Sequence, residues 1–143
     1  SFHNLTVITN SLPAILAMNN THISVSVIGG TFLPQNLSIQ GPESERYISQ
    51  IEVDKAFICS TGVRRDIGLV ASNSLEGRIK HCMLSAAHRT YAVLDSAKFT
   101  KSSIVLFADF EEIDCIITEK PIQDAQQAKR FKELGTKIII ADT

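Results

Sequence analysis

Between residues 74 and 99 the chain reads SLEGRIKHCMLSAAHRTYAVLDSAKF. Leu75, Ile79, Met83 and Ala86 recur at three- and four-residue steps, and that spacing predicts an amphipathic helix over 75–88. Ser74 is placed to cap it. A continuous apolar run at 91–94 has the length of a buried strand. Asp95, Ser96, Ala97 and Lys98 then make a polar turn where that strand ends. Lys80 stands one helical turn beyond Glu76, so the two share a face.

The same alternation runs along the rest of the chain. Apolar, β-rich runs predict strands over 5–8, 23–28, 54–60, 104–107, 115–118 and 137–141. Helical spacing fills three further intervals. One helix covers 12–18, capped by Ser11 with Pro13 in its first turn. A second covers 43–51, with Tyr47, Ile48 and Ile51 inward. A third is opened by Pro121, carries Ala125, Ala128, Phe131 and Leu134 as its buried stripe, and is stopped by Gly135. Residues 31–40 read as irregular, with a short strand near 37–39, and 61–69 as a loop with two glycines.

Continuous apolar strands alternating with helices predict an α/β domain, a mostly parallel sheet with helices on both faces and Rossmann-like in kind. No linker, repeat or second domain boundary is visible. In such a sheet, ligands bind at the carboxyl edge of the strands. The residues that follow the strands are Thr9, Asn10 and Ser11, then Gly29 and Gly30, then Thr61 and Gly62, then Asp95 to Lys98. With Lys80 they offer hydroxyls, open backbone N–H groups and two lysines, an inventory suited to a phosphorylated or carboxylated polyol. The alternatives are plain turn chemistry for each loop, a solvated pair for Lys80 with Glu76, and a local cap for Asp95. Arg64 and Arg65 read as a solvated loop tip rather than an anion clamp, and Asp54 as structural.

Charge and composition narrow the function. Over 143 residues the net charge is −1, so the chain brings no basic field to hold nucleic acid by itself. No apolar run approaches the roughly 20 residues of a membrane span. Cys59, Cys82 and Cys115 have no CxxC spacing, and Cys59 and Cys115 lie in apolar runs, so they read as reduced, buried thiols of a cytoplasmic protein. His3, His22, His81 and His88 are scattered, with no metal-ligand spacing. No GxSxG, P-loop or GxGxxG is present, and Asp95 is the single acid among the four converging loops just named. The reading is therefore a non-enzymatic domain without a cofactor.

With those residues in view, the chain resembles the C-terminal effector-sensing domain of DeoR-type transcriptional regulators. The matching words, in order, are LTVITNS from Leu5, VIGG from Val27, DKAFI from Asp54 followed by Thr61-Gly62-Val63, and Gly68-Leu69. The Glu76–Lys80 helix, Asp95-Ser96-x-Lys98-Phe99, and Ile113-Asp114 with Ile116-Ile117-Thr118 complete the set. The resemblance implies a fold related to ribose-5-phosphate isomerase A, glucosamine-6-phosphate deaminase and the CoA transferases. It also implies a sugar-phosphate pocket without the enzymatic acid–base set. Asn10, Ser11, Gly29, Gly30, Thr61, Gly62, Lys80, Asp95 and Lys98 carry over as candidate effector-binding positions.

Two parts of the family pattern are not found: the winged helix-turn-helix, and the first strand with its Asp-x-Gly-Thr-Thr-like phosphate loop. The expectation is thus a sensor domain lacking its first strand–helix unit. It would serve a repressor of sugar metabolism that binds a phosphorylated sugar or sugar alcohol, self-associates, and meets DNA through another segment. A sugar-phosphate isomerase or deaminase, or a structural dimerisation module, are the competing readings.

Overall fold

The structure, a computed structural model, describes residues 4–142, so His3 lies outside the described residues. They fall into two compact units, Ser1–Ile51 and Glu52–Thr143.

In the first unit, strands β1 (Thr6–Thr9) and β2 (Ser24–Val27) pair in parallel, with Thr9 opposite Val27. Helix α1 (Leu12–Ala17) lies between them in sequence. Ser11 caps α1 as expected, its hydroxyl accepting from the Ala14 N–H, and Pro13 sits in the first turn, where a missing N–H costs nothing. Residues 31–40 are not irregular. β3 (Thr31–Leu33) and β4 (Ser38–Gln40) form an antiparallel hairpin, of which sequence spacing showed only the second strand. Its turn holds Leu37 at a φ of 48°, a backbone that β-propensity does not register. Helix α2 (Pro42–Ile48) starts on a proline and stops three residues short of the predicted end. Ile48 is buried, but Tyr47 faces outward and shares a hydrogen bond with the Ser26 hydroxyl at 3.3 Å.

The second unit is built on a parallel sheet in the order β11-β10-β8-β5, made of β5 (Val53–Ile58), β8 (Ala87–Val93), β10 (Cys115–Thr118) and β11 (Lys137–Ile140). Helix α3 (Ser74–Ser85) is capped by Asn73, not Ser74, through a 2.9 Å bond from the Glu76 N–H to the Asn73 side-chain oxygen. It ends earlier than its apolar spacing predicted. Val53 pairs with Ala87 and Lys55 with Arg89, so the sheet ladder claims the end of the predicted helix. Tertiary pairing here overrides local periodicity.

The predicted loop over 61–69 is also a hairpin. β6 (Gly62–Arg64) and β7 (Gly68–Ala71) pair antiparallel, and β9 (Val105–Asp109) joins β7 antiparallel rather than entering the parallel sheet. Helix α4 (Ala125–Leu134) begins four positions after Pro121, because Asp124 caps it with bonds of 2.9 Å from the Gln126 and Gln127 N–H groups. Ala125 is exposed, and Gln127 takes its place in the buried stripe beside Phe131. Gly135 ends the helix at a φ of 71°, the left-handed conformation a side chain would resist.

The core of this unit gathers Ala56 and Ile58 of β5, Ala92 of β8, Ile116 of β10, Leu84 of α3 and Phe131 of α4. Phe110 meets Phe131 edge-on, with centroids 4.6 Å apart. The architecture is α/β, with a mostly parallel central sheet flanked by helices, consistent with a Rossmann-like fold.

Candidate functional site

Parallel pairing in the first unit sets the ends of β1 and β2 side by side. The Thr9 carbonyl accepts from the Ile28 N–H at 2.9 Å, so the loops carrying Asn10–Ser11 and Gly29–Gly30 leave the same edge. Much of their polar capacity is committed within the unit. The Asn10 amide donates to the Ile39 carbonyl at 2.9 Å, and Ser11 is the α1 cap. Ser44 donates to the Gly29 carbonyl at 2.6 Å. Gly30 has a φ of 147°, and a Cβ there would collide with the Ser44 hydroxyl and press on the Gln40 carbonyl. Gly29 is open: a Cβ there would meet nothing.

In the second unit the carboxyl ends of β5, β8 and β10 come together by register, with Ile58 opposite Ala92 and Val93 opposite Ile117. After β8 the chain forms a 3₁₀ turn over Ser96–Thr100. Asp95 caps it, accepting from the Ala97 N–H at 3.1 Å. Ser96 turns toward the next strand end. Its backbone N–H and hydroxyl donate to the Glu119 carboxylate at 2.9 and 2.6 Å, and Thr118 adds a bond of 3.2 Å. The bonds from Ser96 hold the Glu119 carboxyl down to about 2. Lys98 is half-exposed on this turn, and among the described residues its ammonium has no carboxylate partner. Gly62, after β5, is buried against the stretch that follows the turn. A Cβ there would collide with the Lys101 carbonyl, which accepts from the Val63 N–H at 2.8 Å. Thr61 donates its N–H to Val70, extending the β6–β7 hairpin.

Lys80 is held on α3. Its ammonium is 2.5 Å from Glu76 Oε1 and 5.6 Å from the centre of the Phe107 ring, with only 14% of the side chain exposed. Ser72 donates to the other Glu76 oxygen at 2.8 Å. Burial pushes the Glu76 carboxyl up, but the Lys80 ammonium and the Ser72 hydroxyl outweigh it and hold the group below its ordinary value. Lys80 thus pairs with Glu76, but as a shielded rather than a solvated pair, and Asp95 takes the capping role, while Lys98 is left without a carboxylate partner among the described residues.

Sequence reasoning missed Glu119 and Ser96 as partners, although Glu119 directly follows an apolar strand and the strand-end rule covers it. It also missed a cleft of about 290 Å³ beside the 3₁₀ turn, lined among others by Arg65, Ser96, Phe99, Lys101, Ile122 and Gln127. Arg65 is therefore a wall residue of that cleft, not only a loop tip. Gln127 is 2% exposed. Its amide nitrogen donates to the Phe99 carbonyl at 3.1 Å, while its oxygen has no donor among the described residues. A buried acceptor left in that state costs about 1–3 kcal/mol. Cys59, expected to be buried, is exposed, whereas Cys115 is buried and its thiol pushed up by that burial. Among the described residues no group of three His, Cys, Asp or Glu side chains is placed to hold a metal ion. No helix among them is long and apolar enough to cross a membrane.

The fold and the polar strand ends define an α/β domain of the Rossmann-like kind, with charged and hydroxyl groups at the carboxyl edges of its parallel strands. Its family follows from comparison: residues 1–120 match the DeoR C terminal sensor domain, and the chain belongs to that family. The chain is 32% identical over 122 residues to the HTH-type transcriptional regulator IolR of Bacillus subtilis, covering 85% of this chain and 49% of that protein. To the L-fucose operon activator of Haemophilus influenzae it is 29% identical over 123 residues, again 85% and 49% of the two chains. To the transcriptional repressor AccR of Agrobacterium fabrum it is 31% identical over 118 residues, 81% and 46%. The chain spans about half the length of these curated relatives.

Proposed function

We propose that this domain senses a phosphorylated sugar or sugar alcohol for a cytoplasmic transcriptional regulator of sugar metabolism. The regulator acts as a repressor, reaches DNA through a segment outside this chain, and works as a homo-oligomer. The effector binds the two arrangements of a full-length protein unequally and so shifts DNA affinity. The observation that carries this reading is Lys98. It stands at the carboxyl edge of a parallel sheet, on a turn pinned by Asp95 and Glu119, with no carboxylate partner among the described residues. A phosphate supplies the missing anion, and polyol hydroxyls suit Asp95 on the same turn. Within the second unit Thr61, Gly62 and Lys80 are further proposed effector positions, Lys80 through its pair with Glu76; Asn10, Ser11, Gly29 and Gly30 are the proposed positions of the first unit.

Self-association brings two DNA-binding heads to one operator and raises affinity without a new contact. The relatives' names cover both signs of regulation, an activator and a repressor. The repressor assignment is tested by operator binding of a full-length protein with and without sugar phosphate. Loss of operator binding on addition supports it, and a gain reverses the sign. An isomerase or deaminase would instead turn over ribose 5-phosphate or glucosamine 6-phosphate, which this reading predicts the protein does not do.

A further inference from the structure

The cleft beside the 3₁₀ turn is separate from the groups assigned to the effector. In a 3₁₀ turn, positions three apart lie on one side. Asp95 and Lys98 share one side of the turn Ser96–Thr100, and Ser96 and Phe99 share another, which lines the cleft. The turn is thus a wall with two faces. The cleft's own chemistry is mixed. Phe99 and Ile122 give it an apolar floor, Thr100 and Ser102 add hydroxyls, and Arg65 and Lys101 are exposed cations at its rim, Arg65 also donating to the Gln126 side-chain oxygen at 3.3 Å; Asp124 lines it too, its carboxylate engaged by the Gln126 and Gln127 N–H groups as the α4 cap. Gln127 stands in its wall with the amide orientation fixed by the Phe99 carbonyl, which leaves the side-chain oxygen as an acceptor without a donor among the described residues.

We propose that this cleft is a second small-molecule site, which takes a hydroxylated anion of up to about six carbons. Its carboxylate or phosphate lies against Lys101 and Arg65. Its carbon chain covers Phe99 and Ile122, and one of its hydroxyls donates to the Gln127 side-chain oxygen while the amide nitrogen keeps its bond to Phe99. The volume of about 290 Å³ is at the lower end of the range for small-ligand pockets, as a molecule of that size requires. Such a ligand answers Lys101, the apolar floor and the amide oxygen together, and a further hydroxyl can donate to the Asp124 carboxylate. A purely apolar molecule leaves Lys101 and the amide oxygen unanswered, and inorganic phosphate leaves the floor and the amide unanswered. Because Ser96 both lines the cleft and binds Glu119, occupancy also stiffens the turn that carries Lys98. The inference does not depend on the effector reading, since none of the cleft's ligand groups belongs to the effector set.

The test is a nuclear magnetic resonance titration of this chain with gluconate, sorbitol 6-phosphate and inorganic phosphate as probes. The resonances followed are the Gln127 side-chain amide and the Lys98 and Ser102 backbone amides. Gluconate or sorbitol 6-phosphate is expected to move Gln127 and Ser102, with phosphate alone weaker. Lys101→Met is expected to weaken that binding by about tenfold or more, and Lys132→Met, an exposed lysine of α4 away from the cleft, to leave it within about twofold. Movement confined to Lys98, or an unchanged affinity in Lys101→Met, overturns the proposal, as does a Gln127 amide that none of the probes moves. An effector pocket that fails its own test leaves Gln127 and Ser102 as the independent readout.

Discussion

Glu119 is the carboxylate with the most pronounced environment in the second unit. Its folded value of about 2 lies below that of an unstructured glutamate, because Ser96 offers it a backbone N–H and a hydroxyl. The stabilisation is therefore fully present above the unfolded value of about 4.3 and is lost as the pH falls toward 2. Glu119→Gln should lower the urea midpoint at pH 7 and flatten its dependence between pH 5 and about 2. An unaltered pH profile would mean that the Ser96 bonds do not form in solution. Glu76 shows the other balance. Burial raises its carboxyl while Lys80 and Ser72 lower it, and the lowering wins. Lys80→Met removes the largest opposing group, so the Glu76 pKa should rise, and the stability this carboxylate adds above its unfolded value of about 4.3, together with its loss in acid, should shrink. A carboxyl titration followed by nuclear magnetic resonance reads both residues. No movement of Glu76 would show that the ion pair is absent in solution.

Among the elements, those whose apolar runs stand alone were legible in sequence. β10 runs over the predicted 115–118, and α1 takes its predicted cap at Ser11, since composition and side chain agree there. Legibility failed where long-range pairing decides. The β6–β7 hairpin consists of short segments with no alternation to read, and Gly62 and Gly68 serve close backbone approach rather than a loop. The end of α3 was lost to the β5–β8 ladder, and the start of α4 to the Asp124 cap. In the candidate site, strand ends were found by rule, but whether a lysine there is paired or available depends on rotamers. That is why Lys80 and Lys98 looked equivalent in sequence and are not. Gly62→Ala should destabilise by about 1–3 kcal/mol, because the rigid Lys101 carbonyl must move. Phe131→Ala should cost about 3–5 kcal/mol, because α4 loses its edge-on contact with Phe110. Denaturant midpoints measure both, and a neutral Gly62→Ala would show that the β6 contact with residue 101 is loose.

At the scale of the whole molecule, the role proposed for this chain is sensing rather than DNA contact. A net charge of −1 gives the chain no overall basic field toward a duplex. The chain by itself should not retard operator DNA at physiological salt, and a sequence-dependent shift would overturn that assignment. The central claim is that a phosphorylated sugar occupies the carboxyl edge and is held by Lys98. The most direct measurement is calorimetric titration of a full-length protein with a panel of sugar and sugar-alcohol phosphates, repeated on Lys98→Met. Methionine keeps most of the stem and removes the charge. The account predicts that a member of the panel binds, and that Lys98→Met weakens it by about 1.5–3 kcal/mol, the range for a hydrogen bond to a charged group. Equal affinity in parent and variant, for a ligand the parent binds, would contradict it.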